Sequence, residues 1–408
     1  MANSLLTIDM VTREALRIAH EKSQFLGTID RQYDDSFAKT GAKIGASLRV
    51  RLPNQYTRTT GSRVMDLQEQ VESSSSITVA TQDHIDMPFN SAELALSIDE
   101  FSKRYLEPAM AVLVSGIESD AIAQCTKATY NVAGTAGTAL TDLTVPGAAR
   151  AKLNQGLAPK DGNRNIQADS VTMGGLVNGL KGLFQDSAQI KEQYREGMMG
   201  RTAMADWYEN DRMWTLTNGS DVTCTLAAAA AVTDGGNSIT MASLAAAPAT
   251  GSVFTIPGVY QCHPETKASY GVLQQFVITS GSTTIQTISP AIYLTGPKQN
   301  VCASDSTKLA VTYFNNTSLV PVFVGAASTS YVQNLMYHKE AFQFVTADLP
   351  LMDDSLKCVR RTQDGLSLRV WQQSDIINDR MLLRIDCLYG IAALRPAWAS
   401  RMIGAASA

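Results

Sequence analysis

The chain has 408 residues, 45% of them apolar, with 34 basic against 38 acidic residues and a formal net charge of −4. That length suits about two to three domains with ample core, and the near balance of charge excludes a dedicated, strongly basic binder of nucleic acid or membrane surface while allowing a local basic patch. No segment has the roughly 18 uninterrupted apolar residues of a membrane span, and Met1 to Met10 lacks the basic leader of a secretory signal, so folding in a cytosol is expected.

Thr7 to about Phe25 reads as a helix, with Thr7 as N-cap, Met10, Val11, Ile18 and Phe25 on one face and Gly27 as the stop. A helix so close to the chain end suits an arm that docks on a neighbour. Leu48 to Pro53 alternates as a strand with a charged face. With Ile77 to Ala80 it makes a long polar ribbon, and an isolated two-stranded ribbon is only marginally stable in water. Such a ribbon usually needs a partner surface.

Ser97 and Glu100 are spaced as a capping box. The helix behind them carries Phe101, Tyr105, Leu106, Met110, Leu113 and Ile117 and runs to about Ala128. Pro108 should kink it or start a second helix. Gly134 to Thr138 is a loop. Val145 to Leu157 and Val171 to Phe184 are predicted helices, with Pro159 to Asp169 as a polar loop between them.

From Val222 to Asn300 only Asp234, Glu265, Lys267 and Lys298 are charged. The segment is rich in Thr, Ser, Val, Ile, Gly and Ala. Val253 to Ile256 is a strand, and Val272 to Ile278 with Ile285 to Ile288 form a hairpin. This reads as a small all-β barrel or sandwich inserted into an α+β host. Val301 to Lys308 is the expected return linker. Val320 to Val324, Phe342 to Val345, Leu366 to Trp371 and Arg380 to Tyr389 are strands, and a small-residue tail closes the chain.

Chemistry-bearing patterns are sparse. Cys125, Cys224, Cys262, Cys302, Cys358 and Cys387 form no CxxC pair, so free thiols are expected. His20, His84, His263 and His338 are scattered. Cys262 and His263 are adjacent, but neighbours on a strand point to opposite faces, so a plain loop pair outweighs a metal site. Gly174 to Gly179 has P-loop glycine spacing, yet Leu180 stands where the lysine must be, so the glycines read as close helix packing. Asp34-Asp35 and Asp353-Asp354 are solvated turns rather than acid/base pairs. Arg49, Arg51, Arg58 and Arg63 give the ribbon a basic character. Salt bridging to an acidic neighbour or plain solvation is favoured over nucleic-acid contact. No catalytic, cofactor-binding or metal-binding residues are assigned.

Several stretches resemble the major coat proteins of P-22-type tailed phages. They are Ser4 to Ala15, Gln32 to Ala38, Gly41 to Gly45 followed by Leu48 to Pro53, Phe101 to Ala109, Gly251 to Tyr260 with Leu273 to Val277, and Cys387 to Pro396. No single motif is specific; their collinear order along nearly the whole chain carries the resemblance. It implies a Hong Kong 97 (HK97-like) α+β capsid fold with an N-arm over 1–43, an E-loop ribbon over 44–80 and a peripheral domain with spine helix over 81–135. Axial and peripheral segments would cover 136–221 and 308–408, and an inserted β-barrel-like domain 222–307.

The resemblance further implies a non-enzymatic subunit that assembles as pentamers and hexamers into an icosahedral shell, T=7 in the family, around packaged double-stranded DNA. Itself, a scaffolding protein, a portal protein and a decoration or cement protein are the implied partners, with non-specific DNA contact and no membrane. Assembly would occur in the host bacterial cytoplasm. Under this reading Arg49, Arg51, Arg58 and Arg63 are inter-subunit contacts. The alternatives are a β-rich, adhesin-like oligomeric binding protein and an enzyme with a divergent site.

Overall fold

The structure is a computed structural model, and it describes residues 8–33, 47–59, 61, 73–89, 102–180, 200–228, 231–351, 357–363, 365–375, 377 and 380–406. Thr7, the Ser97–Glu100 box, Phe101, Arg63, Asp34-Asp35, Asp353-Asp354 and the Gly41–Gly45 motif lie outside these residues. The described parts of 1–50, 75–122 and 342–394 form one compact unit, and those of 51–74, 123–341 and 395–408 form another.

The first unit is built on a six-stranded sheet. Arg380–Ala393 is its long central strand, antiparallel to Leu366–Asp375, to Phe342–Ala347 and to Thr81–Phe89. Lys357–Gln363 pairs with Leu366–Asp375, and Asp30–Tyr33 joins Phe342–Ala347 in parallel. Helix Ile8–Lys22 lies on Lys357–Gln363 and Leu366–Asp375. Its buried residues Ile8, Val11, Ala15, Leu16, Ile18 and Ala19 recur at helical spacing. Asp9 reaches Arg361 of the sheet at 2.5 Å. The helix therefore spends its apolar face on its own chain, which corrects its reading as an arm docked on a neighbour.

The helix also ends at Lys22, before the expected stop at Gly27. Gly27 sits inside a separate helical turn, Phe25–Thr28. The cause is remote: the fully buried Glu118 carboxylate accepts the backbone N–H of Gln24 (2.9 Å) and of Phe25. It caps a new helix start, which a glycine search cannot reveal. Helix Glu107–Ala128 follows a single π-helical turn, Ser102–Leu106. Pro108 is its second residue, directly after that turn, where a missing N–H costs little.

The second unit holds two seven-stranded sheets. One runs in the order Val132–Ala133, Ala399–Ala406, Ser330–His338, Arg164–Ala168, Ala205–Glu209, Arg201–Thr202, with Thr215–Thr217 also on Ser330–His338. Helices Thr144–Gln155 and Ser170–Leu180 cover it, and Leu153, Ile166, Leu176, Met336 and Met402 fill its core. Two expectations are corrected here. The polar loop Pro159 to Asp169 contains a fully buried strand, Arg164–Ala168. The small-residue tail is likewise a strand, buried from Ala399 through Ile403.

The glycines of Gly174–Gly179 lie on helix Ser170–Leu180, and Gly175 and Gly179, but not Gly174, sit where a neighbouring backbone comes close. A Cβ on Gly179 would sit 1.7 Å from the Thr141 carbonyl oxygen. Gly179→Ala is expected to destabilise the protein by about 1–3 kcal/mol, the usual cost of overpacking against backbone. A urea melt with an unchanged midpoint would count against this close approach.

The other sheet comes entirely from the stretch Thr225 to Phe323. Its order is Thr225–Leu226, Gly236–Ala242, Ile285–Ile292, Ser269–Gly281, Val253–Cys262, Val301–Cys302, with Val322–Phe323 also on Val253–Cys262. Phe254 stacks obliquely on Phe276 and Phe323 at 5.8 and 5.6 Å, inside a core with Ile239, Met241 and Phe314. Val301 to Lys308 is thus no return linker, because Val301–Cys302 is a strand of this sheet. The chain stays with the sheet as far as Phe323.

Candidate functional site

Among the described residues no cluster of His, Cys, Asp and Glu could hold a metal ion. His263 is occupied with its own turn: its Nδ1 accepts the backbone N–H of Glu265 and Thr266 at 3.1 and 3.2 Å, and its ring stacks on Tyr270. Burial pushes the thiols of Cys224, Cys262 and Cys387 up to about 11, 12 and 12. Such thiols are protonated near neutrality and are poor nucleophiles at rest.

The ribbon is a two-stranded sheet of Ser47–Leu52 and Ser73–Thr78. The two-residue period of a strand sorts its side chains onto two faces. Val50 packs against a cluster of Ile77, Val79, Val345, Leu349 and Leu388, which anchors the base. Arg49 and Arg51 take the opposite face and are exposed. Beyond the strand, Arg58 is exposed and Tyr56 is 56% exposed. The structure therefore places Arg49 and Arg51 on one face of the ribbon and leaves Arg58 exposed beyond its strand, and Arg63 lies outside the described residues.

Sequence reading missed the buried charges. Arg369 and Asp386 are direct cross-strand partners, as are Trp371 and Arg384, and Arg384 and Asp86. This register brings opposite charges together. Asp386 is fully buried and accepts from Arg369 Nε at 3.1 Å, from Arg369 Nη2, and from Arg384 Nε at 2.5 Å. Asp86 lies 3.8 Å from Arg384 Nε, so two cations meet two anions. Both guanidinium groups lie over the Trp371 ring, at 5.5 and 5.8 Å. On the same long strand Tyr389 donates to the carboxylates of Asp83 (2.9 Å) and Asp120 (3.1 Å), and burial first, then Asp83, pushes its phenol up.

Arg401 is fully buried in the second unit, and among the described residues it has no carboxylate partner. It donates to the Gly251 carbonyl at 2.7 Å and to the Lys127 carbonyl at 3.4 Å. Lys127 lies in the last turn of helix Glu107–Ala128, where unsatisfied carbonyls and the negative end of the helix dipole collect. Burial pulls this guanidinium down to about 9, which leaves it charged at neutral pH. One side chain thus ties the helix end, the C-terminal strand and the charge-poor sheet. Gln275 adds a second tie, its side chain bonding both the N–H and the C=O of Val132, at 2.8 and 3.1 Å.

Residues 228–405 match the family of the P22 coat protein, gene protein 5. No curated protein matches the chain. Among solved structures, one chain of Mycobacterium phage Che8 is 9% identical, covering 93% of this chain and 90% of that one, with a TM-score of 0.48. A chain of the mature capsid of bacteriophage PhiM1 is 12% identical over 93% and 86%, with a TM-score of 0.43. One from the capsid of Myoviridae phage XM1 is 9% identical over 93% and 91%, with a TM-score of 0.42.

Proposed function

We propose that this chain, which carries the P22 coat protein family's domain over residues 228–405, is the major capsid protein of a tailed bacteriophage. The family match is the observation that carries the reading. In it, copies of the chain associate as pentamers and hexamers and close into an icosahedral shell around double-stranded DNA. The fold is of the HK97-like kind, the Ser47–Thr78 ribbon is its E-loop, Glu107–Ala128 is its spine helix, and the charge-poor sheet from Thr225 to Phe323 is an inserted domain. A scaffolding protein and a portal protein would take part in assembly in the bacterial cytoplasm, and a decoration protein could bind the finished shell. The protein is a structural one, not an enzyme.

The ribbon gives the reading its physical content. Its base is anchored by Val50 and Ile77, while Arg49, Arg51 and Arg58 face outward. Identical subunits that exchange such elements build closed assemblies. Exposed arginines select an acidic surface on the neighbouring copy through charge complementarity. Sedimentation velocity of the chain co-expressed with its scaffold tests this. Wild type should run as very large particles. The triple variant Arg49→Glu, Arg51→Glu, Arg58→Glu should lose roughly tenfold or more of that fraction, since like charges placed face to face cost several kcal/mol. Its circular dichroism should be unchanged. A triple variant that assembles at the wild-type level would remove the arginines from the interface. A wild type that stays a monomer or small oligomer would overturn the capsid reading.

A further inference from the structure

We propose that Tyr389 is a single-proton toggle, its hydroxyl bonding either Asp83 of strand Thr81–Phe89 or Asp120 of helix Glu107–Ala128. The phenol oxygen lies 2.9 Å from Asp83 Oδ2 and 3.1 Å from Asp120 Oδ2. A phenol carries one proton, and an ionised carboxylate only accepts. Two acceptors therefore compete for one donor, and the loser faces the phenol oxygen with no proton between them. The two carboxylate oxygens are at most about 6 Å apart, the two contacts laid end to end, and like charges that close repel. Among the described residues neither carboxylate bonds a cation. Arg384, on the same long strand as Tyr389, is taken up by Asp86 and Asp386.

The three residues come from three elements of one compact unit. In the sheet register Asp83 sits opposite Cys387, two residues from Tyr389, which puts Asp83 and Tyr389 on the same face. Asp120 arrives from the helix, beside its buried residues Ile117, Ala121 and Ile122. The Tyr389 ring has no solvent exposure and stacks on Phe344, with centroids 5.8 Å apart. The ring is thereby fixed, and the hydroxyl proton is the part left free to turn. Burial first, then Asp83, pushes this phenol up, so the proton stays on the oxygen. Asp120 is exposed and Asp83 half-buried. Water can therefore serve whichever carboxylate is released, while the buried phenol keeps a partner in either state.

The choice of partner decides what the central strand Arg380–Ala393 holds. With the proton on Asp120, the strand is tied to the helix. With the proton on Asp83, the tie runs to strand Thr81–Phe89, and this part of the helix is held by its apolar packing. The device sets how firmly the helix grips the sheet while the core around Ile117 and Ala121 stays the same. Such an element responds to whatever acts differently on its two states. A neutral amide in place of either carboxylate ends the competition. It donates to the phenol oxygen, while the phenol donates to the carboxylate that remains.

The test is amide hydrogen exchange of the full chain, read by mass spectrometry, which reports local opening segment by segment. In Asp83→Ala the phenol proton belongs to Asp120 alone, so the helix segment around Asp120 should exchange several-fold more slowly than in wild type. Asp120→Ala should slow strand Thr81–Phe89 in the same way. Two independent bonds predict no slowing at the far partner, and that result would overturn the toggle. Asp83→Asn adds the missing donor and should slow both segments together; faster exchange in either would count against the proposal. Each change repeated in Tyr389→Phe should slow neither segment. Slowing that survives loss of the hydroxyl would assign the effect to charge repulsion alone and sink the toggle. If the alanine variants fail to fold, Asp83→Asn with and without Tyr389→Phe decides. All three residues belong to one subunit, so the outcome stands apart from the capsid reading.

Discussion

Asp386→Ala is expected to cost about 3–5 kcal/mol, the usual effect of removing one partner from a buried ion pair. Asp386 has no solvent exposure and its side chain is the acceptor shared by Arg369 and Arg384. Arg369 is itself only 4% exposed, and its remaining bond goes to the Pro350 carbonyl at 2.7 Å. Without the carboxylate, that guanidinium is a buried charge with dipoles alone for company. Chemical denaturation should show a fall of this size in unfolding free energy. The double change Arg369→Met, Asp386→Leu removes both charges and keeps the volume. It should cost clearly less than Asp386→Ala, because the penalty arises from an uncompensated ion rather than from the lost attraction. Equal losses in the two variants would contradict the network as described.

The second large effect concerns Arg401. Arg401→Ala removes two charge-assisted bonds and most of a large, fully buried side chain, for a loss of about 3–5 kcal/mol. Arg401→Lys should recover little, because an ammonium lacks the planar fork that reaches Gly251 and Lys127 together. A pH signature accompanies this. Burial depresses Arg401 in the folded state to about 9, below its ordinary value. The unfolded chain then binds the proton more tightly. The burden of the buried charge is present at neutral pH and eases as pH rises from about 9 towards the ordinary arginine value. The stability difference between wild type and Arg401→Met should therefore move in favour of wild type across that window. A difference flat in pH would contradict a strained buried cation.

These two residues also mark where sequence reading stops. Clean alternation was legible: Leu48 to Leu52, Val272 to Ile278 and Arg380 to Tyr389 all lie in strands, because one face of each is apolar. The long helix through Met110, Leu113 and Ile117 was legible for the matching reason at helical spacing. Arg164–Ala168 and Ala399–Ala406 were not. Each places a buried arginine in a strand, and a charge there reads as a loop or a tail until its carbonyl acceptors are known. Ser330–His338 hides similarly behind buried Gln333, Asn334 and His338. Two-residue strands such as Val301–Cys302 and Val322–Phe323 have no period at all. Their positions are fixed by pairing with Val253–Cys262, a long-range fact.

The ribbon arginines were legible as a pattern, since Arg49 and Arg51 alternate with Val50 and Leu52. What they meet was not, because the period of one strand records only which face a side chain takes. The N-terminal helix shows the converse. Its place at the chain end suggested an arm, yet Ile8, Val11, Leu16 and Ile18 are satisfied by the sheet of their own subunit.

The most direct measurement is electron cryomicroscopy of particles from cells that express the chain, alone and with a candidate scaffolding protein. Closed shells are predicted, with this chain at both five-fold and six-fold positions and the Ser47–Thr78 ribbon lying across a neighbouring copy. Open sheets, or discrete rings that never close, with the ribbon folded back on its own subunit, would contradict a shell built by exchange of that element.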